Sequence, residues 1–436
     1  MAEKKAVVIG GGLAGVEAAK QLSKRGVMVT LYEMKPQRFS PAHKNINLGE
    51  LVCSNSLKAA RLGSAAGLLK AEMRLFGSVC LEAADKAQVP AGGALAVDRD
   101  VFSELITKAI ENDENITLVR EEVTEIPEEG VVIIAAGPLM SDALAQKVAS
   151  LCGKDFLSFY DAAAPIVTAD SIDMENAFTQ SRYDRGGEDD YINCPLDKAQ
   201  YEEFYEALIN AESADLHTFD KRKDVYEGCM PIEVLASRGR DAMRYGPLKP
   251  VGLTNPKTGH RPWANLQLRK ENKDGTMYNL VGFQTNLKFP EQKRVFSMFP
   301  ALKDAEFVRY GVMHRNTFLN SPGLLSYDFS LKKDRRIYFA GQLTGVEGYM
   351  ESASSGILAG YNAARYLFGE EPILLPKITM LGALSQYICD ESVKNFQPMG
   401  AAFGIIEPLD EKIRDKKERY EKLAQRSLDY YKSVKL

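Results

Sequence analysis

Cysteine is scarce and scattered in this chain of 436 residues: its six copies, at positions 53, 80, 152, 194, 229 and 389, form no CxxC pair. That spacing excludes a disulfide framework and a structural zinc site, so each thiol is expected to be reduced and no metal is expected. No apolar run approaches the ~20 residues of a membrane helix. The first ten residues, MAEKKAVVIG, pass into an apolar strand without a small-residue cleavage site, so a cytoplasmic protein without a membrane is expected. Charge of one sign is also lacking: the formal net charge is −4, which by itself points to neither nucleic acid nor membrane but is compatible with a local basic surface. There is one tryptophan, Trp263, and no internal repeat, low-complexity segment or proline-rich linker. Against these absences, 45% hydrophobic and 26% charged residues are ordinary for a soluble chain with enough length for two or three domains.

Residues 5 to 33 read as one strand–turn–helix–strand unit: KAVVIG, GGGLAG, VEAAKQLSKRG and VMVTLYE. The turn contains Gly10-x-Gly12-x-x-Gly15, and Glu33 closes the second strand. A lone GxGxxG is weak evidence, since a glycine-rich turn can serve packing alone, but here strand, helix and acidic residue all stand in place. Gly10 permits the tight turn, and Gly12 lets backbone approach a pyrophosphate beside Gly11, Leu13 and Ala14. Gly15 allows close helix–strand packing, and Glu33 is placed for a ribose diol.

A glycine-rich first turn is shared by NAD, FAD and S-adenosylmethionine enzymes, so the rest of the chain must discriminate. A flavin needs a second, late strand–glycine–helix element. RRIYFAGQ, ending at Gly341 and Gln342, followed by LTGVEGYMESASSG, supplies it, and VVIIAAGP at 131–138 adds another small-residue turn. FAD is therefore the expected cofactor. Gln342 stands where many flavoproteins carry Asp, with an amide that can still bond a ribityl hydroxyl or phosphate. The fold class expected is α/β: a Rossmann-like, glutathione-reductase-like FAD-binding domain over 1–150 and 310–436, with an inserted α+β substrate or RNA-binding domain over 151–309. The last thirty residues read as a charged surface helix.

Among the thiols, Cys80, Cys152 and Cys389 stand in apolar or helical runs and read as core filling, while Cys194 in YINCPLD is ambiguous. Cys229 sits between Gly228 and Met230-Pro231 in an irregular segment followed by Arg238, Arg240 and Arg244, which favour a thiolate if they fold back on it. Cys53 is flanked by Ser54, Asn55 and Ser56, polar groups typical of a site or a cap. A disulfide reductase would keep its two thiols close in sequence. The other chemistry open to a flavin and separated thiols is addition of a thiolate to C6 of uracil, which turns C5 into a nucleophile for a one-carbon unit.

GGGLAGVEAA, LYEMKP, ELVCSNSLK, VPAGGALAVDR, FYDAAAPIV, EGCMPIE, GPLKPVGL, VGFQTNLK, RYGVMHRNTF, FAGQLTGVEGY and KNFQPM together resemble the bacterial folate- and FAD-dependent tRNA uracil-5-methyltransferase family, TrmFO, from about residue 5 to 405. The resemblance implies methylation of C5 of the T-loop uridine, uridine-54, of tRNA. It also implies 5,10-methylenetetrahydrofolate as carbon donor and NADH or NADPH as reductant through FAD. Cys229 matches the family's nucleophile toward C6, Cys53 its second catalytic thiol, and His314 the ring that stacks on the folate pterin. No obligate protein partner is implied. An extruded base requires a basic approach surface, for which Lys58, Arg61, Lys221, Arg222, Lys223, Arg238, Arg240 and Arg244 are candidates, with Trp263, Tyr226 and Tyr245 for stacking. Ribosomal RNA as substrate, a non-catalytic FAD-containing RNA-binding protein and a generic flavin monooxygenase stay open. A relative that hypermodifies wobble uridines would need a longer carboxyl-terminal extension.

Overall fold

Val7, Val8 and Ile9 are β-branched, stiff at χ1 and suited to a pleated strand, and they form β1 (Lys5–Ile9). The computed structural model describes residues 4–153, 157–184, 187, 190–214, 230–311, 313–393 and 396–434, the side chains of 157–162, 184, 314 and 315 excepted. At Gly10 the backbone takes φ +107°, which a side chain would oppose. The chain enters α1 (Leu13–Lys24) and returns as β2 (Met28–Tyr32), parallel to β1 from Lys5↔Met28 to Ile9↔Tyr32. Next come β3 (Ser56–Ala59), α2 (Ala65–Leu75), α3 (Val79–Ala87), β4 (Gln88–Val89) and β5 (Ala94–Val97), whose strands make a small antiparallel sheet. Asp98 caps α4 (Arg99–Glu111) by accepting from Asp100 N and Val101 N, and β6 (Ile116–Val119), β7 (Val131–Ile134) and α5 (Asp142–Cys152) follow. Every residue of β7 is buried, as expected of a parallel strand covered on both faces.

The α+β insertion begins with β8 (Leu157–Ala162) and β9 (Ile166–Thr168). It continues through β10 (Phe178–Thr179), β11 (Tyr191–Leu196), α6 (Lys198–Ile209), α7 (Ile232–Ala236), β12 (Ala264–Lys270) and β13 (Met277–Leu280). It closes with α8 (Phe289–Phe296) and β14 (Phe307–Arg309). Its sheet runs β10-β11-β12-β13-β9-β14 with antiparallel pairing throughout. Phe204, Phe283, Phe296 and Phe299 interlock edge to face or stacked in a core separate from that of the first sheet. β15 (Met313–Phe318) pairs with β8 as a two-stranded ribbon.

β16 (Ser330–Leu331) and β17 (Asp334–Phe339) then complete the first sheet in the order β16-β17-β7-β1-β2-β6. β1 therefore has its crossover partner β2 on one side and β7 on the other, the switch point at which open α/β sheets leave a crevice beyond their carboxyl ends. α9 (Tyr349–Phe368) packs backbone to backbone on α1. A Cβ at Gly356 would stand 2.1 Å from Ala14 O, and one at Gly360 2.5 Å from Ala18 O. α10 (Met380–Cys389) and α11 (Lys416–Ser433) finish the fold. The expectation of a charged surface helix holds for one face of α11 only: Leu423, Ala424, Ser427 and Tyr431 are buried, and Ser427 Oγ donates to Glu72 Oε1 at 2.6 Å.

Candidate active site

A cavity of about 400 Å³ fills the crevice beyond β1, β2, β7 and β17. Gly10, Gly11, Gly12, Leu13 and Ala14 line one side, with Glu33, Gly341, Gln342 and Cys53. Gly15 lies beneath the wall: its Cβ would stand 1.8 Å from Gly10 O, so glycine there serves packing. Cys229 lies outside the described residues, as do Lys221, Arg222, Lys223 and Tyr226. His314 sits on β15 opposite Asp161, and its side chain is likewise outside the description; Asn316, two residues on, lines the cavity.

The residues present fit a dinucleotide. Gly12 begins α1 in extended conformation with no side-chain cap, and a Cβ on it would meet nothing within 4 Å, so uncapped N–H groups and open space coincide. That is the arrangement in which a helix amino terminus holds a pyrophosphate. Glu33 is buried, accepting from Gly11 N at 3.0 Å through Oε2 and from Lys35 N at 3.0 Å through Oε1. Each oxygen keeps acceptor capacity for a ribose hydroxyl. Gly341 takes φ +82° and donates its N–H to Ser355 Oγ at 2.7 Å. Gln342 Nε2 donates to Glu347 Oε2 at 2.7 Å. Glu347 thus brings a carboxylate to the place where Asp is missing after Gly341.

Cys53 lies on the same wall, and its segment is gripped from the second sheet and from the first residues of α4 and α9. Arg99, the first residue of α4, donates to Leu51 O at 2.9 Å and Cys53 O at 2.8 Å, and it pairs with Glu271. Arg309 at the end of β14 donates to Val52 O. Arg269 of β12 donates to Ser54 Oγ at 2.9 Å and Asn55 Oδ1 at 2.8 Å. Tyr349, opening α9, accepts from Cys53 N at 2.7 Å and Ser54 N at 3.2 Å. Burial, then Arg99, pushes the Arg309 guanidinium down, and burial pushes Glu271 up against three neighbouring guanidinia. By contrast, burial pushes Cys80, Cys194 and Cys389 up and Cys152 up to about 11, as inert core thiols require.

In a second set of cavity residues only Lys58 was a candidate in the sequence, for gripping RNA phosphates; its partners escape sequence reasoning because they are far along the chain. Lys58 Nζ donates to Glu351 Oε1 at 2.6 Å and approaches Glu347 O at 3.4 Å. Glu351 is almost fully buried and also accepts from Ala401 N at 3.1 Å, while its Oε2 has no hydrogen-bond partner among the described residues. His43 also lines the cavity, its imidazole pushed down by burial and then by Lys35. A basic residue at position 58 and a carboxylate in the stretch EGYMESASSG carry no local signal of pairing.

Fold and site together define a dinucleotide-binding α/β flavoprotein with a thiol on its cofactor wall. The family described as Glucose inhibited division protein A matches residues 5–371. The Acetivibrio thermocellus protein named methylenetetrahydrofolate--tRNA-(uracil-5-)-methyltransferase TrmFO is 58% identical over 98% of this chain and 97% of its own. Its namesake from Enterococcus faecalis is 56% identical over 99% and 98%. Among solved structures, Aquifex aeolicus GidA in two crystal forms superposes with TM-scores of 0.69 and 0.70 at 19% and 18% identity. It covers 97% and 99% of this chain and 73% and 76% of its own. The chain belongs to the GidA family and, within it, to the TrmFO methyltransferases.

Proposed function

We infer that the protein methylates C5 of a tRNA uridine, the T-loop uridine-54, with 5,10-methylenetetrahydrofolate as carbon donor and FAD with NADH or NADPH as reductant. The observation that carries this reading is Cys53 on the wall of a cavity built for a dinucleotide. When bound, FAD supplies the electrons that turn an exocyclic methylene into a methyl group. The α1 amino terminus would hold its pyrophosphate, Glu33 its ribose, and Gly341 with Gln342 its ribityl side.

Cys229 is the nucleophile toward C6. Three residues further on, Ile232 N donates to Gln284 O at 2.7 Å, and Gln284 lines the cavity. Cys53 is the second thiol, acting on C5 or on the incoming carbon, and His314 stacks on the pterin. Residues 151–309 face the RNA. Support for that lies in the Ser237–Trp263 segment, which has six Lys and Arg against one acidic residue in a chain of net charge −4. Within it Tyr245 is 86% exposed, and the Arg244 guanidinium lies 3.8 Å from the centre of the exposed Trp263 ring. A base extruded from a loop needs such a basic, aromatic approach. The enzyme works in the cytoplasm, where its RNA substrate is made.

The test is to incubate purified protein with unmodified tRNA, ribosomal RNA, methylenetetrahydrofolate and NADPH, and to locate 5-methyluridine by mass spectrometry. Cys53→Ala and Cys229→Ala should each lose ~10³-fold in methylation while tRNA affinity stays within about twofold. Unchanged methylation in Cys229→Ala, or product confined to ribosomal RNA, would refute the reading.

A further inference from the structure

Val52, the neighbour of Cys53, lines a second cavity as well as the first, and so do Ala42 and Glu50; the two cavities therefore adjoin. The second has a volume of about 510 Å³ and brings in Arg99, Arg309, Lys44 and Asp100. Its positive charge is poorly compensated. Arg99, Arg269 and Arg309 all bear on one carboxylate, Glu271, and Arg99 takes it in an ion pair. Arg269 is held by Ser54 and Asn55. The Arg309 guanidinium is left with one hydrogen bond among the described residues, from Nη2 to Val52 O. Besides Glu271, the ionisable groups that act on it are Arg99, Tyr349 and Cys53, none of them a carboxylate.

The Nε and Nη1 atoms of Arg309 have no partner among the described residues and are not sealed from solvent, so their donors open on accessible space. A half-buried guanidinium cannot shed its proton, and open donors on it beside a second cation call for an anion. The rest of the lining agrees. Lys44 is exposed, and its ammonium has no partner among the described residues. Glu50 is already committed: Oε2 accepts from Lys35 Nζ at 3.3 Å, and Oε1 accepts from Lys44 N at 2.9 Å and Asn45 N at 3.1 Å. Asp100 accepts from Asn45 Nδ2 at 3.2 Å and is the one acidic lining residue without a cation among the described residues, so Lys44 and Arg309 outnumber it. Exposed Ile46 adds apolar surface to the same cavity.

We propose that this second cavity is an anion-binding subsite in which Arg309 and Lys44 hold the charged tail of a co-substrate, either the glutamate carboxylates of the folate or a phosphate of the nicotinamide dinucleotide. The proposal rests on the methyltransferase reading for the identity of the co-substrates, and on the charge of the cavity for the class of ligand. Charge-assisted hydrogen bonds from a guanidinium and an ammonium hold a carboxylate or a phosphate alike. The tail is fixed there while the reactive end of the same molecule stands in the adjoining cavity. Ile46 offers an apolar contact to the aromatic ring that joins a folate's pterin to its glutamate.

The experiment uses the FAD-loaded full-length protein as wild type, Arg309→Gln and Lys44→Gln. One arm titrates tetrahydrofolate and tetrahydropteroate, which keeps the pterin and the aromatic ring but carries no glutamate. The other takes the Kd of NADPH and of NADH from the concentration dependence of flavin reduction. If the tail is the folate's, each variant weakens tetrahydrofolate ~10-fold and leaves tetrahydropteroate within about twofold of wild type. If it is the dinucleotide's, the ~10-fold loss appears in NADPH, in NADH or in both, with the two folates unchanged. Equal weakening of tetrahydrofolate and tetrahydropteroate marks a displaced Cys53 segment and overturns the proposal, as do four affinities unchanged in both variants. A changed rate of Cys53 alkylation in Arg309→Gln with all four affinities unchanged assigns the excess charge to the thiol and overturns it too. If Arg309→Gln does not retain FAD, Lys44→Gln, altered at an exposed side chain, decides alone. A wild type that binds neither co-substrate refutes the methyltransferase reading instead; inorganic pyrophosphate then judges the subsite, and equal binding by wild type and Lys44→Gln overturns it.

Discussion

Single residues in this protein are constrained mostly by what has no room for them. Gly356 in α9 faces Ala14 O so closely that an added Cβ would lie 2.1 Å from it. The neighbour is backbone in the turn that forms the cofactor wall, and it cannot rotate away. Gly356→Ala should therefore separate α1 from α9 and destabilise the protein by ~2–3 kcal/mol. A thermal melt of the variant, with the FAD content of the purified protein, checks this, and an unchanged melting temperature would contradict it. At the same scale the glycines of the first turn and Glu33 were readable in the sequence, because their spacing is local backbone chemistry. Cys53 was readable through its Ser and Asn neighbours. Glu347, Glu351 and Tyr349 were not, since nothing near them in the chain signals a partner.

Among the elements, α11 shows how a helix that reads as charged can still be bound to the core. Glu72 of α2 is buried and accepts from Met380 N at 2.7 Å and Leu381 N at 2.8 Å, from Ser427 Oγ at 2.6 Å and from Tyr431 Oη at 3.3 Å. It joins α2, the amino terminus of α10 and α11. Burial outweighs these four donors and pushes the carboxyl up to about 7. A carboxyl raised on folding favours the folded state most below its unfolded value near 4.5, and that contribution is lost as pH rises through about 7. Between pH 5 and pH 8 the wild type should thus lose up to ~3 kcal/mol relative to Glu72→Gln, which does not titrate. Chemical denaturation of both proteins at the two pH values reads this, and parallel pH profiles would exclude it. The heptad-like scatter of Lys, Arg and Glu in α11 gave only its solvent face. The buried stripe became evident once α2 and α10 stood beside it.

At the scale of the whole molecule, the second sheet links the basic segment proposed to meet RNA to the segment that carries Cys53. β12 runs from Ala264, beside Trp263, to Lys270, beside Arg269 and Asn55. Seven residues at ~3.3 Å place the basic, aromatic face ~20 Å from the Cys53 segment, a separation that a folded tRNA arm can bridge. Arg244→Ala should weaken tRNA binding a few-fold and lower the slope of log Kd against log salt by ~1, with FAD content unchanged. A slope equal to that of wild type would remove Arg244 from the RNA face. Arg269 and Arg309 hold the 51–55 segment from the second sheet and Arg99 holds it from α4, so the position of Cys53 depends on how that sheet packs against the nucleotide-binding half. Arg238, Arg240 and Arg244 of the basic segment were candidates in the sequence, whereas Arg99, Arg269 and Arg309 carry no local signal because their acceptors lie far along the chain.

The sequence by itself determined the nucleotide-binding half, its cofactor class and the candidate thiols, because strand periodicity, glycine spacing and flanking polarity act over a few residues. The tertiary structure decided which side chains meet at and behind the cavity wall: Cys53 with Tyr349 and Lys58 with Glu351 on the wall, and Asn55 with Arg269 behind it, are 296, 293 and 214 residues apart. Hydrogen bonds and ion pairs of a few ångströms are fixed by where the topology brings chain segments together. Local propensity does not encode the partner, and so those contacts became visible only in the folded molecule.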